Sequence, residues 1–266
     1  ADDGRLWPLA FPAFDYERML EQGYCAYLFG VRRDALIAAL AARPDNIYRL
    51  FNSLLDRTGP QQADVLHLPG ALGTMPGFDR AKAGRLLAEA SRLHLRARGL
   101  DAEITEQRGN FFPAVRIRRS YVQQRVTVVI PTRDRVSLLR KCLDSIAPAI
   151  KRCRADILII DNDSADPATI GFLADLPRRG IRTLQIEGPF NFARLNNRAA
   201  AQLDTDILCL LNNDIEASSD DWLEEMLARL GQPDVGAVGA LLALPGGGVQ
   251  HGGVVLGMNF SVAHAC

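Results

Sequence analysis

Polar side chains follow several apolar runs in the second half of this sequence, where their oxygen atoms can bind a cation, a phosphate or a hydroxyl group. In the segment LLNNDIE, Asn213 and Asp214 come almost directly after the apolar run Ile207–Leu211. Oxygen ligands suit a hard cation such as Mg²⁺, which commonly takes one or two carboxylates together with substrate phosphates. Asp214 is therefore the predicted metal ligand.

A second polar group, in the segment IIDNDSAD, begins with Asp161 and Asn162. Carboxylate and amide groups at the end of a strand can bind the edge of a base and the hydroxyls of a ribose. Turn chemistry is the alternative interpretation, because Asp and Asn stabilise tight turns and Asp166-Pro167 is a favourable helix start. We favour the binding role.

The segment PTRDR (131–135) ends an earlier apolar run. A dinucleotide-binding protein would carry a glycine-rich GxGxxG turn here, so that its backbone can approach a pyrophosphate, and these glycines are absent. The alternative to a binding role is a strand cap followed by a helix N-cap, with Asp134 accepting backbone N–H bonds.

The elements that position these segments alternate between short apolar runs and helical periodicity. Strands are predicted at 126–130, 157–160, 181–186, 207–211 and 235–240, with helices at 136–150, 167–176, 192–203 and 222–230. Helical crossovers of this length imply a mostly parallel sheet flanked by helices, an α/β fold. Ligands of such sheets bind at the carboxyl ends of the strands, where the polar segments lie.

The first 120 residues have a different pattern, in which helical segments alternate with short strands and many turn signals, as in a smaller α+β segment. The arginine-rich stretch 116–125 offers little to a core and is predicted to connect two units. We therefore expect one domain over residues 1–120 and a second over 121–266.

Composition excludes several classes of function. Lys and Arg together number 31, as do Asp and Glu, so no net charge attracts nucleic acid. The five cysteines are scattered, which predicts neither a zinc site nor a disulfide framework and fits a reducing cytoplasm. The longest apolar runs are well short of the roughly 20 residues that span a bilayer, and no secretion signal is recognisable.

Four segments, in order, resemble the motifs of family-2 glycosyltransferases with the GT-A fold, of the tandem bacterial polysaccharide or rhamnosyltransferase-like type. PTRDR resembles the family's PTYNR, DNDSAD its DDGSTD, and NND its DxD, while Asn197 lies where the family has the asparagine of ARNxG. Residues 1–120 resemble the later part of an upstream copy, which lacks a clear acidic signature. The chain would then join the back half of one copy to the front half of the next.

By this resemblance, ten residues would bind the nucleotide-sugar: Pro131, Thr132, Arg133, Asp134, Asp161, Asn162, Asn197, Arg198, Asn213 and Asp214. Asp214 would also hold a divalent metal, Mg²⁺ or Mn²⁺. Because Asn212 replaces the first aspartate of DxD, the metal site has one carboxylate fewer than is usual in the family, and metal dependence is expected to be weaker.

The resemblance implies inverting transfer from a nucleotide-diphospho-sugar to a glycan or lipid-linked acceptor, in bacterial surface polysaccharide or glycan synthesis. It implies a cytoplasmic protein and is compatible with peripheral association with the inner face of the plasma membrane. The catalytic base is expected beyond Cys266, so this chain is expected to be incomplete for catalysis. One alternative is a non-catalytic nucleotide-sugar-binding or scaffold member of the fold. A nucleotidyltransferase is a further alternative, disfavoured because no glycine-rich phosphate loop follows Ile130.

Overall fold

The chain divides into two compact units, Ala1–Ser120 and Tyr121–Cys266. The computed structural model describes residues 14–57, 65–68, 73–74, 77–107, 109, 112–232, 235–258 and 261–264. Within these residues, no helix combines the length and apolar character that crossing a bilayer requires.

The described part of the first unit contains four α-helices and an antiparallel strand pair. The helices are α1 (Tyr16–Gln22), α2 (Arg33–Leu40), α3 (Ile47–Ser53) and α4 (Arg80–Ala97), and the strands are β1 (Ala102–Gln107) and β2 (Ala114–Arg119). Met19, Leu87 and Ile117 are at most 1% exposed and join α1, α4 and β2 in one core. The predicted connector at 116–125 is wrong in its first residues, because β2 continues to Arg119 with buried residues alternating along it.

A buried polar network also stabilises the first unit. The Asp56 carboxylate accepts hydrogen bonds from the Arg49 guanidinium (2.6 and 3.1 Å) and is 2.7 Å from Nδ1 of His94. The other ring nitrogen of His94 lies 2.8 Å from the Tyr16 hydroxyl. Burial alone would raise the pKa of Asp56, but its bonds with His94 and Arg49 outweigh that effect and lower it.

The second unit is built on a four-stranded parallel sheet in the order β5-β4-β3-β6. Its strands are β3 (Val126–Thr132), β4 (Asp156–Asp161), β5 (Arg182–Gln185) and β6 (Ile207–Leu210). The helices are α5 (Val136–Cys153), α6 (Pro167–Asp175), α7 (Phe192–Ala200) and α8 (Trp222–Leu230). Two antiparallel pairs follow: β7 (Leu242–Ala243) with β8 (Val249–His251), and β9 (Val254–Met258) with β10 (Ser261–His264).

Helices cover both faces of this sheet, which explains the continuous apolar run of β3. Val128 and Ile130 pack with residues of α5 and α6 on one face, while Val129 packs with Leu195 and other residues of α7 on the other. All seven residues of β3 are buried. The predicted α/β fold, with a mostly parallel sheet between helices, is confirmed.

Two features of the second unit depart from this regular pattern. β6 forms one edge of the four-stranded sheet, and its Leu208 and Leu210 side chains are 40% and 49% exposed. The strand predicted at 235–240 is wrong: these residues form no strand and are largely exposed. Gly236 and Gly239 fall within the segment, and glycine weakens a strand because it loses the most entropy on ordering and has no side chain to pack.

Candidate functional site

The carboxyl ends of β3 and β4 lie side by side, and this part of the sheet, here called the carboxyl edge, brings the predicted polar segments together. In the parallel register Thr132 is opposite Asp161, and Asp161 is opposite Gln185 at the end of β5. On the other side of β3, the Leu211 N–H donates to the Val129 carbonyl (3.0 Å), which aligns the start of the NND segment with the same edge.

Asp134 ties the PTRDR turn to the DNDSAD turn. One oxygen of its carboxylate accepts hydrogen bonds from the backbone N–H groups of Ala165 and Asp166, both at 2.8 Å. Its own N–H donates to the Ser164 hydroxyl (2.9 Å). The alternative interpretation of Asp134 is right that the carboxylate accepts backbone N–H bonds, but wrong that it caps the following helix, because Arg135 is the N-cap of α5 and makes no capping bond with its side chain.

This tie requires an uncommon backbone conformation. Asp134 and Arg135 have φ angles of 53° and 58°, in the left-handed region. Asp tolerates this region better than most residues do, because its short polar side chain can bond locally. The neighbouring Arg133 is exposed and has no hydrogen bond or ion pair with another described residue, which leaves its guanidinium available to a ligand.

Asp161 is partly exposed and uses only one carboxylate oxygen within the described structure. Its Oδ1 accepts from the Ser164 N–H (3.0 Å), which is the turn bond expected from the alternative interpretation. Its Oδ2 has no partner among the described residues. The turn role and a ligand-binding role are therefore compatible in this one side chain.

Asn162 is buried, and its amide holds a neighbouring loop. It is 1% exposed, and its Nδ2 donates to the carbonyls of Ile186 and Gly188, both at 2.9 Å. Its Oδ1 is buried and has no partner among the described residues. Direct contact of Asn162 with a base stays a prediction, whereas the two bonds from its amide fix the backbone that follows β5.

Asn213 is held against the end of β3, whereas Asp214 is exposed. Nδ2 of Asn213 donates to the Thr132 hydroxyl (2.9 Å), so the NND segment is anchored to the PTRDR segment. Burial, with the negative charges of Asp214 and Glu216, raises the pKa of the Cys142 thiol of α5 to about 12. These two carboxylates therefore form a negative region beside the first half of α5.

A divalent cation is compatible with this donor set, although the protein alone supplies few ligands. Among the described residues, no group of three or more His, Cys, Asp or Glu side chains is placed to hold a metal. Asp214 has no hydrogen-bond partner in the described structure, and Asn213 keeps its amide oxygen unbonded there. One carboxylate, an amide oxygen and substrate phosphates form a set that Mg²⁺ accepts.

Asn197 and Arg198 lie on α7, and both are exposed. In the described structure, neither side chain is hydrogen-bonded to another residue, so the hydrogen bonds that link the PTRDR, DNDSAD and NND segments do not include these two. Pro131 is buried in β3, opposite Ile160 of β4.

Sequence reasoning missed the loop at residues 186–191, here called the braced loop. The Asp163 carboxylate accepts from the Gly188 N–H (2.7 Å), and the Arg194 guanidinium donates to the carbonyls of Glu187 (2.9 Å) and Pro189 (2.7 Å). Asn191 ends the loop as the N-cap of α7. The motif FNFAR was the available signal, since an asparagine before a helical run is typical of an N-cap.

The second unit matches a known family of enzymes. Residues 127–252 match the family described as glycosyl transferase family 2. The chain therefore carries a family-2 glycosyltransferase domain. The predicted resemblance to this family is confirmed, and the matched residues contain β3 from its second residue, β4 to β6 and every predicted site residue.

Two bacterial relatives contain similar sequence. The chain is 36% identical over 194 residues to the O-antigen biosynthesis protein RfbC of Myxococcus xanthus, a match covering 71% of this chain and 14% of that protein. It is 38% identical over 141 residues to the uncharacterized protein y4gI of Sinorhizobium fredii, covering 52% of this chain and 16% of that protein. The chain thus spans a small part of the length of these relatives.

Part of the chain is similar to solved structures of other enzymes. One is the mannosyltransferase PcManGT from Pyrobaculum calidifontis in complex with GDP-Man and Mn²⁺, with 24% identity, a TM-score of 0.40, and coverage of 47% of this chain and 37% of that one. Another is glucosyl-3-phosphoglycerate synthase of Mycobacterium tuberculosis with Mn²⁺, UDP and phosphoglyceric acid, with 18% identity, a TM-score of 0.35, and coverage of 42% and 40%.

Proposed function

We propose that the second unit binds a nucleotide-diphospho-sugar at the carboxyl edge, as part of an inverting glycosyltransferase that assembles a bacterial surface polysaccharide. The observation that carries this proposal is the linkage of the predicted segments: Asp134 ties the first two together, and Thr132 bonds to Asn213 of the third. The family-2 match supports the reaction class, and the name of RfbC supports the kind of product.

In this proposal each group at the edge contacts a different part of the donor. Pro131 and Thr132 line the nucleotide pocket, and the unbonded oxygen of Asp161 accepts a hydrogen bond from the base or the ribose. Arg133 and Arg198 are exposed cations, and a guanidinium can donate two parallel hydrogen bonds to a phosphate. Asn197 lies near the sugar.

Asp214 is the proposed ligand of a divalent metal, with Asn213 beside it. The Thr132 bond restrains Asn213, so that Asp214 is presented at the edge from a fixed backbone. When bound, Mg²⁺ or Mn²⁺ would neutralise the charge that develops on the departing diphosphate. Because only one carboxylate is offered, the metal should bind much more tightly with nucleotide than alone.

Donor binding without turnover by this chain is the second candidate function. Inverting transfer needs a base to deprotonate the acceptor hydroxyl. The carboxylates of Asp134, Asp161 and Asp163 each accept a backbone N–H, and the carboxylate of Asp214 is assigned to the metal. This use of the carboxylates favours a donor-binding role for the second unit, with the base supplied by another part of the protein.

The test is a calorimetric and thermal-shift panel of UDP-, dTDP- and GDP-sugars, with and without Mn²⁺. A ligand that binds only the native state raises its stability in proportion to its affinity. Mn²⁺ should enhance nucleotide-sugar binding by the unmodified chain but not by Asp214→Ala. The control Asp220→Ala, which removes another exposed carboxylate, should keep the enhancement. If no nucleotide-sugar binds, the proposed function is wrong.

Turnover separates the two candidates. Sugar transfer and slow donor hydrolysis should be measured with the same panel and a polysaccharide or lipid-linked acceptor mixture. Binding of a donor without turnover supports the donor-binding role of this chain. Transfer at a rate typical of the family would show that a base is present among residues assigned to structure.

A further inference from the structure

The braced loop is unusually well fixed for a surface segment. Three side chains, of Asn162, Asp163 and Arg194, make five hydrogen bonds to its backbone, all between 2.7 and 2.9 Å. A loop held by this many bonds loses little further entropy when it contacts a ligand. The bonds therefore prepare the loop for a contact.

The braced loop nevertheless leaves a large aromatic ring in water. Phe190 is 63% exposed, whereas burying a phenylalanine side chain is ordinarily worth about 1.5–3 kcal/mol. Phe192, which follows the loop, is 43% exposed. Phe190 is two residues from Gly188, whose N–H bonds to Asp163, so its Cα lies within about 7 Å of the Gly188 Cα, next to the DNDSAD turn.

The chemistry beside Phe190 selects among the ligands that bind aromatic rings. Asp161 and Asp163 place two negative charges next to the loop, against one positive charge from Arg194, and this balance disfavours an anionic lipid surface. A flat heterocycle needs an aromatic face to stack on and a polar group at its edge. Phe190 supplies the face, and the unbonded Oδ2 of Asp161 supplies an acceptor.

We propose that Phe190 is a stacking platform for the nucleobase of the donor, and that Asn162 and Arg194 are positioning residues that hold it in place. This inference rests on the proposed function and adds to it a residue that recognises the base. Because every base has an aromatic face, the platform accepts any nucleobase, and selection among bases falls to the polar groups around it.

The experiment compares ligands with and without a base. Binding of UDP, dTDP, GDP and inorganic pyrophosphate, each with Mn²⁺, is measured by calorimetry on the full chain and on Phe190→Ala, Phe190→Trp and Ile170→Ala. Ile170 is a matched control, 49% exposed on α6. Circular dichroism checks that each variant is folded.

Phe190→Ala should weaken the binding of the nucleoside diphosphates by about 5- to 140-fold, which corresponds to the 1–3 kcal/mol that a stacked base contributes. The affinity for pyrophosphate should be the same in all four proteins to within about twofold. Phe190→Trp should bind the nucleoside diphosphates as the unmodified chain does, and Ile170→Ala should have the affinities of the unmodified chain for every ligand. Arg194→Met should weaken the binding of the nucleoside diphosphates but not of pyrophosphate. It should also speed hydrogen exchange in the braced loop, as expected of a positioning residue.

The following results would overturn the inference. Equal loss of pyrophosphate and nucleoside diphosphates would show that Phe190 affects the whole site and not the base. Unchanged nucleotide binding in Phe190→Ala, with loss of sedimentation on phosphatidylglycerol vesicles, would identify a membrane contact instead. If the unmodified chain binds no nucleoside diphosphate, the proposed function fails as well, whereas normal binding with no effect of Phe190→Ala overturns only the stacking role.

Discussion

The Asp134 tie gives the sharpest test of how the candidate site is held together. Asp134→Ala removes the acceptor of two backbone N–H bonds and places alanine at a φ of 53°. The N–H of Ala165 is exposed and water can replace its bond, so the loss falls mainly on the partly buried N–H of Asp166. A hydrogen bond to a charged group contributes about 1.5–3 kcal/mol.

The left-handed backbone adds a second, separable cost. A residue with a Cβ loses about 1–2 kcal/mol in this conformation, which Asp partly recovers through local bonds and which glycine avoids. Asp134→Ala should therefore lower the free energy of unfolding by about 1.5–5 kcal/mol, because aspartate already bears part of the backbone cost. Asp134→Gly should lower it by about 1–2 kcal/mol less than alanine does, and Asp134→Asn, which keeps an oxygen acceptor, by less than about 1.5 kcal/mol.

Urea denaturation followed by circular dichroism measures the free energies, and hydrogen exchange at Ala165 and Asp166 reports the two bonds directly. Exchange at both amides should be faster in Asp134→Ala and Asp134→Gly than in Asp134→Asn. The reasoning is refuted if all three variants have the same stability and unchanged exchange. Lost nucleotide binding in such a stable Asp134→Ala variant would instead assign the carboxylate to the ligand.

Three further predictions concern other buried or anchored groups. Because the pKa of Asp56 is lowered in the folded state, the stability that its charge contributes is present above about pH 4 and is lost as the pH falls through the folded-state pKa. Asp56→Asn should therefore make the first unit less stable at pH 7 and make its unfolding less sensitive to acid. Urea titrations from pH 2 to 7 measure both effects. Asn213→Ala, which removes the bond to Thr132, should cost about 0.5–1.5 kcal/mol of stability and weaken Mn²⁺ binding in the presence of nucleotide, measured by calorimetry; unchanged Mn²⁺ affinity would contradict the anchoring role. Asn162→Asp replaces two donors by a buried carboxylate and should lower the melting temperature at pH 7, with partial recovery near pH 4 as the group is protonated; a pH-independent melting temperature would count against it.

The sequence predicts the second unit well where burial decides the structure. The β3 run is apolar because both faces of the strand are covered, and this pattern identifies a central parallel strand without further information. From that topology it follows that Thr132 and Asp161 end at one edge, as observed. No strand forms at 235–240, because two glycines separate the apolar residues there.

Side-chain partners across loops were beyond the sequence. The partners of Asn162 are backbone carbonyls 24 and 26 residues further along the chain, and no local pattern identifies them. The same limit hid the braced loop, whose supporting side chains come from the DNDSAD turn and from α7. Residue types could not separate the turn role of Asp161 from its ligand role, because one carboxylate oxygen bonds to the turn and leaves the other for a ligand.

The exposed edge of the sheet has a practical consequence for work with this chain. A strand at the edge of a sheet presents unpaired N–H and C=O groups. In β6, the exposed side chains of Leu208 and Leu210 add an apolar surface beside these backbone groups. At the concentrations used for crystallisation or spectroscopy, that combination promotes strand-to-strand association between molecules. A lysine at position 210 would oppose it with charge and leave the inward-facing Cys209, on the other face of the strand, in its core.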